Sequence, residues 1–164
     1  MNKILIFGNS GSGKSTLAVI IAKQRHLPHL DLDVLAWAST GVRKPLPASL
    51  KEIHSFITAN DNWVIEGCYG FLIHEVTAFC TQLLFLNPGI EACLENNLTR
   101  PWEPHKYASA EAQNNNLKML QAWVKEYEIR DDEYSLKFHR EIFNQFDGCK
   151  REYTNLRAYD DTIK

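Results

Sequence analysis

Eight residues near the start of the chain have the types and spacing to hold a polyphosphate: Gly8-Asn9-Ser10-Gly11-Ser12-Gly13-Lys14-Ser15. They satisfy every fixed position of the pattern G-x-x-x-x-G-K-[ST]. The glycines allow the backbone to turn so that successive N–H groups point inward at an anion. The residues that follow read as a helix, whose unpaired first-turn N–H groups and positive end add to that field. Lys14 is placed to reach the β- and γ-phosphates, and Ser15 to put its hydroxyl on Mg²⁺. Gly8 through Ser15, with Thr16, form the candidate nucleotide-binding set. The alternative is a chance Gly/Ser-rich turn, against which the flanking apolar strand and helix both count.

Three acids can complete such a centre. Asp31 and Asp33 are two apart at the end of a short apolar run, so on an extended chain they face the same way. Either they hold the water shell of Mg²⁺ and orient or deprotonate an acceptor hydroxyl, or they cap a turn. In Trp63-Val64-Ile65-Glu66-Gly67 an apolar strand ends in an acid. Glu66 there either meets Mg²⁺ through water or is a solvated strand-end acid. Asp31, Glu66 and Ser15 are the candidate metal set, and Asp33 the candidate acceptor-activating acid.

Trp37, Arg43 and Lys44 follow the second strand, where an aromatic ring and cations either stack on and neutralise an anionic acceptor or lie in a solvated loop. Gly67 and Gly70 either let backbone approach a substrate or make turns, and Cys68 and Tyr69 between them either line the acceptor pocket or pack in the core. Asp33, Trp37, Arg43, Gly67 and Tyr69 are the candidate substrate residues. Phosphoryl transfer also needs positive charge over the moving group. Arg100, before a Pro-rich loop, and Arg130, at a helix end, are the candidates, and a cation serving a helix dipole is the alternative for each. The six histidines show no metal spacing and no nucleophile partner.

These residues need a scaffold, and apolar runs alternating with helical patterns describe a parallel α/β sheet. Strands are expected at about 3–7, 29–31, 63–66, 82–86 and 150–153. Helices are expected at 15–24, from a capping box at Ser49 and Glu52 to about 60, at 69–79, from Asn87 to about 99, at 114–130 and at 132–147. Residues 38–47, with Gly41, Pro45 and Pro47, read as loop, and the polar tail as frayed.

At 164 residues one compact domain is expected, with 45% apolar and 23% charged residues as in ordinary globular chains. A net charge of −2 offers no basic field for nucleic acid. No apolar run is long enough to cross a bilayer, and Met1 leads almost directly into the first strand, so a cytoplasmic protein is expected. The cysteines at 68, 80, 93 and 149 form no C-x-x-C pair and read as single buried thiols in a reducing compartment.

With these residues assembled, the chain resembles the small P-loop kinases: adenylate kinase and its nucleoside monophosphate relatives, and shikimate kinase. It looks most like the bacterial proteins labelled adenylate kinase-like or DNA topology modulation proteins. The resemblance rests on Gly8 to Ser15, on Asp31-Leu32-Asp33 with Leu35 and Trp37, on Trp63 to Gly70, and on Gln82 to Arg100. It implies a P-loop NTPase three-layer fold with a parallel five-stranded sheet of order 2-3-1-4-5, and a helical lid at about 100–131. It implies ATP with Mg²⁺, and γ-phosphoryl transfer to a small acceptor, either a nucleoside monophosphate or a hydroxyl metabolite. A monomer or homodimer is expected, with no nucleic-acid or membrane partner. The family carries two arginines a turn apart before the lid; here Arg100 is kept and Asn96 stands at the earlier position. An ATPase or nucleotide sensor is therefore the second expectation, and a GTPase is disfavoured because no N-K-x-D stretch is present.

Overall fold

The computed structural model describes residues 1–38, 42–104 and 107–155. Five strands form one all-parallel sheet: β1 (Lys3–Gly8), β2 (His29–Asp31), β3 (Trp63–Gly67), β4 (Gln82–Leu86) and β5 (Cys149–Tyr153). Their order is β2-β3-β1-β4-β5, as the resemblance implies. The helices are α1 (Lys14–Arg25), α2 (Leu32–Ala36), α3 (Leu46–Ala59), α4 (Gly70–Thr77), α5 (Ile90–Leu98), α6 (Ala110–Lys125) and α7 (Leu136–Gln145). A 3₁₀ turn at Glu126–Glu128 extends α6.

Side chains alternate across the central strand, which is why both faces of the sheet are covered. Leu5 and Phe7 join Trp63, Ile65, Leu83 and Phe85 on one face, under α2, α3, α4 and α7. Ile4 and Ile6 join Val64, Leu84 and Leu86 on the other, under Leu17, Ala18 and Ile21 of α1. Each such buried side chain contributes about 2 kcal/mol. Phe7 stacks on Phe85 with ring centroids 4.8 Å apart, which locks β1 to β4 on the face that later receives α7.

Several boundaries differ from the sequence expectation, each for a local reason. The chain after β2 turns helical at once, because Asp31 caps α2 by accepting the Asp33 N–H at 2.8 Å and Leu32, Leu35 and Ala36 all bury. Helix α3 starts at Leu46, before the expected capping box, because Pro47 in its first turn gives up no hydrogen bond. Ser49 is then interior and donates its hydroxyl to the Leu35 carbonyl at 2.8 Å, while Glu52 pairs with Lys44. Helix α5 begins at Ile90, with Gly89 rather than Asn87 at its cap. Helix α6 begins at Ala110, where the Ser109 hydroxyl accepts the Ala112 N–H, and α7 begins at Leu136 behind a Ser135 cap. The loop expected at 38–47 and the polar tail lie partly outside the described residues. Among the described residues no helix is long and apolar enough to cross a membrane. Among the described residues no cysteine forms a disulfide; of the expected buried thiols only Cys93 is buried, Cys68 and Cys80 are half-buried and Cys149 is exposed.

Candidate active site

The Gly8–Ser15 loop leaves the C-terminal end of the central strand and enters α1, which is where an open parallel sheet binds its ligands. Gly11 and Gly13 have φ of 80° and 90°, a region costly for any side chain, and a Cβ on Gly11 would collide with the Cys93 carbonyl. Among the described residues no backbone carbonyl accepts from the N–H groups of Gly11, Gly13, Lys14 or Ser15. The loop therefore offers four backbone donors that backbone pairing leaves open, beside one turn bond from the Ser12 N–H to the Asn9 carbonyl. Side chains hold its shape from both sides. Asn9 accepts the Ser10 N–H on Oδ1 at 2.8 Å and donates through Nδ2 to the Val124 carbonyl of α6 at 3.2 Å. Asn96 of α5 donates to the Gly11 carbonyl at 2.7 Å. Lys14, only 8% exposed, folds back and donates its ammonium to the Asn9 carbonyl at 2.8 Å.

Three acids gather beside this loop because the register puts Asp31 opposite Glu66 on adjacent strands. Glu66 is 1% exposed, and its carboxyl lies within reach of the Ser15 hydroxyl and the Lys14 charge. Burial first, then repulsion from Asp31, pushes the Glu66 carboxyl up to about 7. Among the described residues nothing donates a hydrogen bond to its Oε1, and His29 Nε2 stands 4.0 Å away. Ser15, Asp31 and Glu66 thus meet as expected. Among the described residues no group of three or more His, Cys, Asp and Glu could hold a metal by itself. Mg²⁺ does not ask for one: it keeps several waters and takes one or two protein groups plus phosphate oxygens. An orphaned, buried carboxylate oxygen beside a serine hydroxyl and a donor-lined loop fits ATP with Mg²⁺.

Asp33 is on the first turn of α2, not on the strand end where an extended chain would put it. It is nevertheless joined to the other candidate substrate residues. Tyr69 donates its hydroxyl to Asp33 Oδ1 at 2.7 Å and accepts the Trp37 indole N–H at 2.7 Å. Arg43 folds back through a bridge with Trp37, lays its guanidinium 4.4 Å from the Tyr69 ring centroid, and donates to the Ala36 carbonyl at 3.0 Å. Glu133, from the turn before α7, stands 3.7 Å from the same guanidinium. Burial drives the Tyr69 hydroxyl far above its ordinary value, so it remains a neutral donor. Gly67 has a packing duty: a Cβ there would lie 2.8 Å from Leu32 Cβ, so it lets α2 settle on β3. Lys44 turns away to Glu52.

Arg100 and Arg130 are each held by a nearby acid. Arg100 forks onto Glu103 at 2.9 and 2.8 Å and lines a cavity of about 20 Å³ with Asn97, Leu98 and Tyr107. Arg130 lies 4.4 Å from the Trp123 ring centroid and 5.8 Å from that of Tyr134, with Asp132 at 3.1 Å. Arg140 forks onto Glu152 at 2.6 and 2.7 Å and ties α7 to β5. Sequence reasoning passed over Asn97, buried against Gly11, and gave no role to His139, which is completely buried on the inward face of its helix. A polar residue on the apolar stripe of its helix was the available signal for His139.

No family model and no curated protein matches the chain. Solved structures do. Shikimate kinase from Acinetobacter baumannii in complex with shikimate superposes with a TM-score of 0.58 at 17% identity, covering 99% of this chain and 89% of that one. A sugar kinase from Janibacter sp. HTCC2649 gives 0.55 at 14% identity, covering 99% and 90%. A gluconokinase from Sinorhizobium meliloti 1021 gives 0.53 at 17% identity, covering 99% and 88%. At these identities the likeness is one of fold, and the fold is that of small P-loop kinases.

Proposed function

We propose that the protein is an ATP- and Mg²⁺-dependent kinase that passes the γ-phosphoryl group to a small acceptor, either a nucleoside monophosphate or a hydroxyl metabolite. One observation carries the reading. The donor loop and the acceptor-side acid open on the same edge of the sheet, with Asp31 in register with Glu66 and Asp33 two residues on. The inward N–H groups of Gly11, Gly13, Lys14 and Ser15 hold the phosphates, and Lys14 exchanges the Asn9 carbonyl for a phosphate oxygen. Bound Mg²⁺ supplies charge neutralisation at the β- and γ-phosphates, with Ser15, Glu66 and Asp31 as its protein side. Asp33 orients the acceptor hydroxyl and takes its proton. Trp37, Tyr69 and Arg43 form the acceptor wall, and three of the neighbouring folds named above are kinases of small molecules.

A second reading, an ATPase or nucleotide sensor with no phosphorylated product, is favoured by the state of the arginines. Asn96 binds the Gly11 carbonyl where a cation would face phosphate, and Arg100 is neutralised by Glu103. Missing transition-state arginine charge lowers phosphoryl-transfer rates by about 10³- to 10⁵-fold. Incubation with ATP-Mg²⁺ and a panel of nucleoside monophosphates, shikimate and small polyols separates the two. Acceptor-dependent ADP release is the expected result. Slow release indifferent to every acceptor would leave the second reading standing.

A further inference from the structure

Hydrogen bonds and two short backbone links together span the distance between the donor loop and the acceptor loop, and they run through a helix end that belongs to neither. At the donor side Asn9 holds the Ser10 N–H, the Ser12 N–H and the Lys14 ammonium, and its own amide is anchored on the Val124 carbonyl. Three residues further along, the hydroxyl of Tyr127 meets His139 Nδ1 at 2.8 Å. The other ring nitrogen, Nε2, meets the Cys68 carbonyl at 3.0 Å. A carbonyl can only accept, so Nε2 carries the proton and Nδ1 takes the hydrogen of Tyr127. Cys68 is followed by Tyr69, whose hydroxyl holds Asp33. The imidazole has no freedom to shift: it is fully buried, with the Phe7 ring edge-on at 5.5 Å and Phe85 at 6.3 Å.

We infer that Tyr127 and His139 are positioning residues that set the separation of the two substrates, by fixing the Cys68–Tyr69 acceptor loop to the same helix end that fixes Asn9 of the phosphate loop. The inference rests on the kinase reading, but its geometry needs only that nucleotide binds. Tyr127 lies in the 3₁₀ turn that continues the helix of Val124, so one rigid turn carries both anchors. Transfer between two bound groups is acutely sensitive to their spacing, because a shift of about 1 Å in the reacting pair costs up to about a hundredfold in rate. Neither residue touches a reacting atom; each acts through the backbone it holds.

The test compares Tyr127→Phe, which removes one hydroxyl, with Ile142→Val, which loosens the same buried layer of α7 but removes no hydrogen-bonding group of the path. Tyr127→Phe is expected to lower kcat for acceptor-dependent transfer about tenfold or more while leaving the KM for ATP-Mg²⁺ within about twofold. Ile142→Val is expected to lower the melting temperature with both constants unchanged. Equal kinetic losses in the two variants, or kinetics for Tyr127→Phe within about twofold of wild type, would overturn the inference. Hydrogen exchange with ATP-Mg²⁺ supplies a readout independent of transfer. Protection is expected at residues 8–16 and 67–73 in wild type, and at 8–16 alone in Tyr127→Phe. Protection at 67–73 that survives in Tyr127→Phe, or never appears in wild type, sinks the path while sparing the nucleotide site. No protection at 8–16 sinks the nucleotide site and the path together.

Discussion

The hydroxyl of Tyr69 donates to Asp33 Oδ1 across 2.7 Å, joining a residue at the start of α4 to one in the first turn of α2. The Tyr69 oxygen in turn accepts the indole N–H of Trp37. This chain orients the carboxylate that the proposed mechanism uses, from a direction that neither local stretch reveals. In Tyr69→Phe the aspartate and the indole each lose a partner. The variant is expected to be less stable by about 1–2 kcal/mol in urea titration. It is also expected to raise the KM for acceptor while the affinity for ATP-Mg²⁺ stays the same. An unchanged acceptor KM would make the chain purely structural.

Lys14→Ala and Asp33→Asn divide the donor and acceptor halves. Loss of the Lys14 ammonium is expected to cut nucleotide turnover by at least about a hundredfold with native far-ultraviolet dichroism retained. Asp33→Asn is expected to keep nucleotide binding by calorimetry and to lose the response to acceptor. Wild-type turnover in Lys14→Ala would count against the donor site itself.

Gly11→Ala tests the donor loop as a shape. Its φ of 80° and the nearby Cys93 carbonyl leave no room for a methyl group. Strain of about 1–3 kcal/mol is expected, relieved by moving the loop. Nucleotide affinity should then fall more than the melting temperature would suggest, which a paired titration and thermal scan will show.

Two buried groups titrate with opposite effects on stability. The folded state raises Glu66 from 4.5 to about 7, so its favourable contribution is complete below about 4.5 and is lost as pH rises to about 7. The folded state lowers His139 from 6.5 to about 3, mainly by burial, so its contribution is complete above about 6.5 and is lost as pH falls. Between 4.5 and 6.5 the two slopes oppose, and the wild-type melting temperature without ligand is expected to be nearly flat. Glu66→Gln removes the falling limb. It should be more stable than wild type at pH 8, by up to about 3 kcal/mol, and equal to it near pH 4.5. Thermal scans across that range decide it; a pH-8 melting temperature no higher than wild type would mean that the carboxyl is not strained by burial.

Much of this site was legible before any coordinates. The pattern from Gly8 to Ser15 names its own geometry, because a strand, a glycine-rich turn and a helix start are contiguous. Glu66 followed from an apolar strand ending in an acid. The candidate substrate residues Asp33, Trp37, Arg43 and Tyr69 are grouped by type alone, and their side chains do meet. Their manner of meeting was not legible. Asp33 was expected on extended chain, yet Asp31 caps a helix there, because one short hydrogen bond and three buried apolar residues outweigh continuation of an edge strand.

Local chemistry determined the phosphate loop, the strand and helix alternation and the acids near the strand ends, since those features depend on neighbours a few residues away. Tertiary structure alone decided the partners of Asn9, Tyr127 and His139, which lie 115, 12 and 71 positions from the groups they bind. It also decided that Arg100 and Arg130 are held by nearby acids and rings. A hydrogen bond across such separations is made by the packing of whole helices on a sheet, and no spacing rule along the chain encodes which side chains that packing will bring face to face.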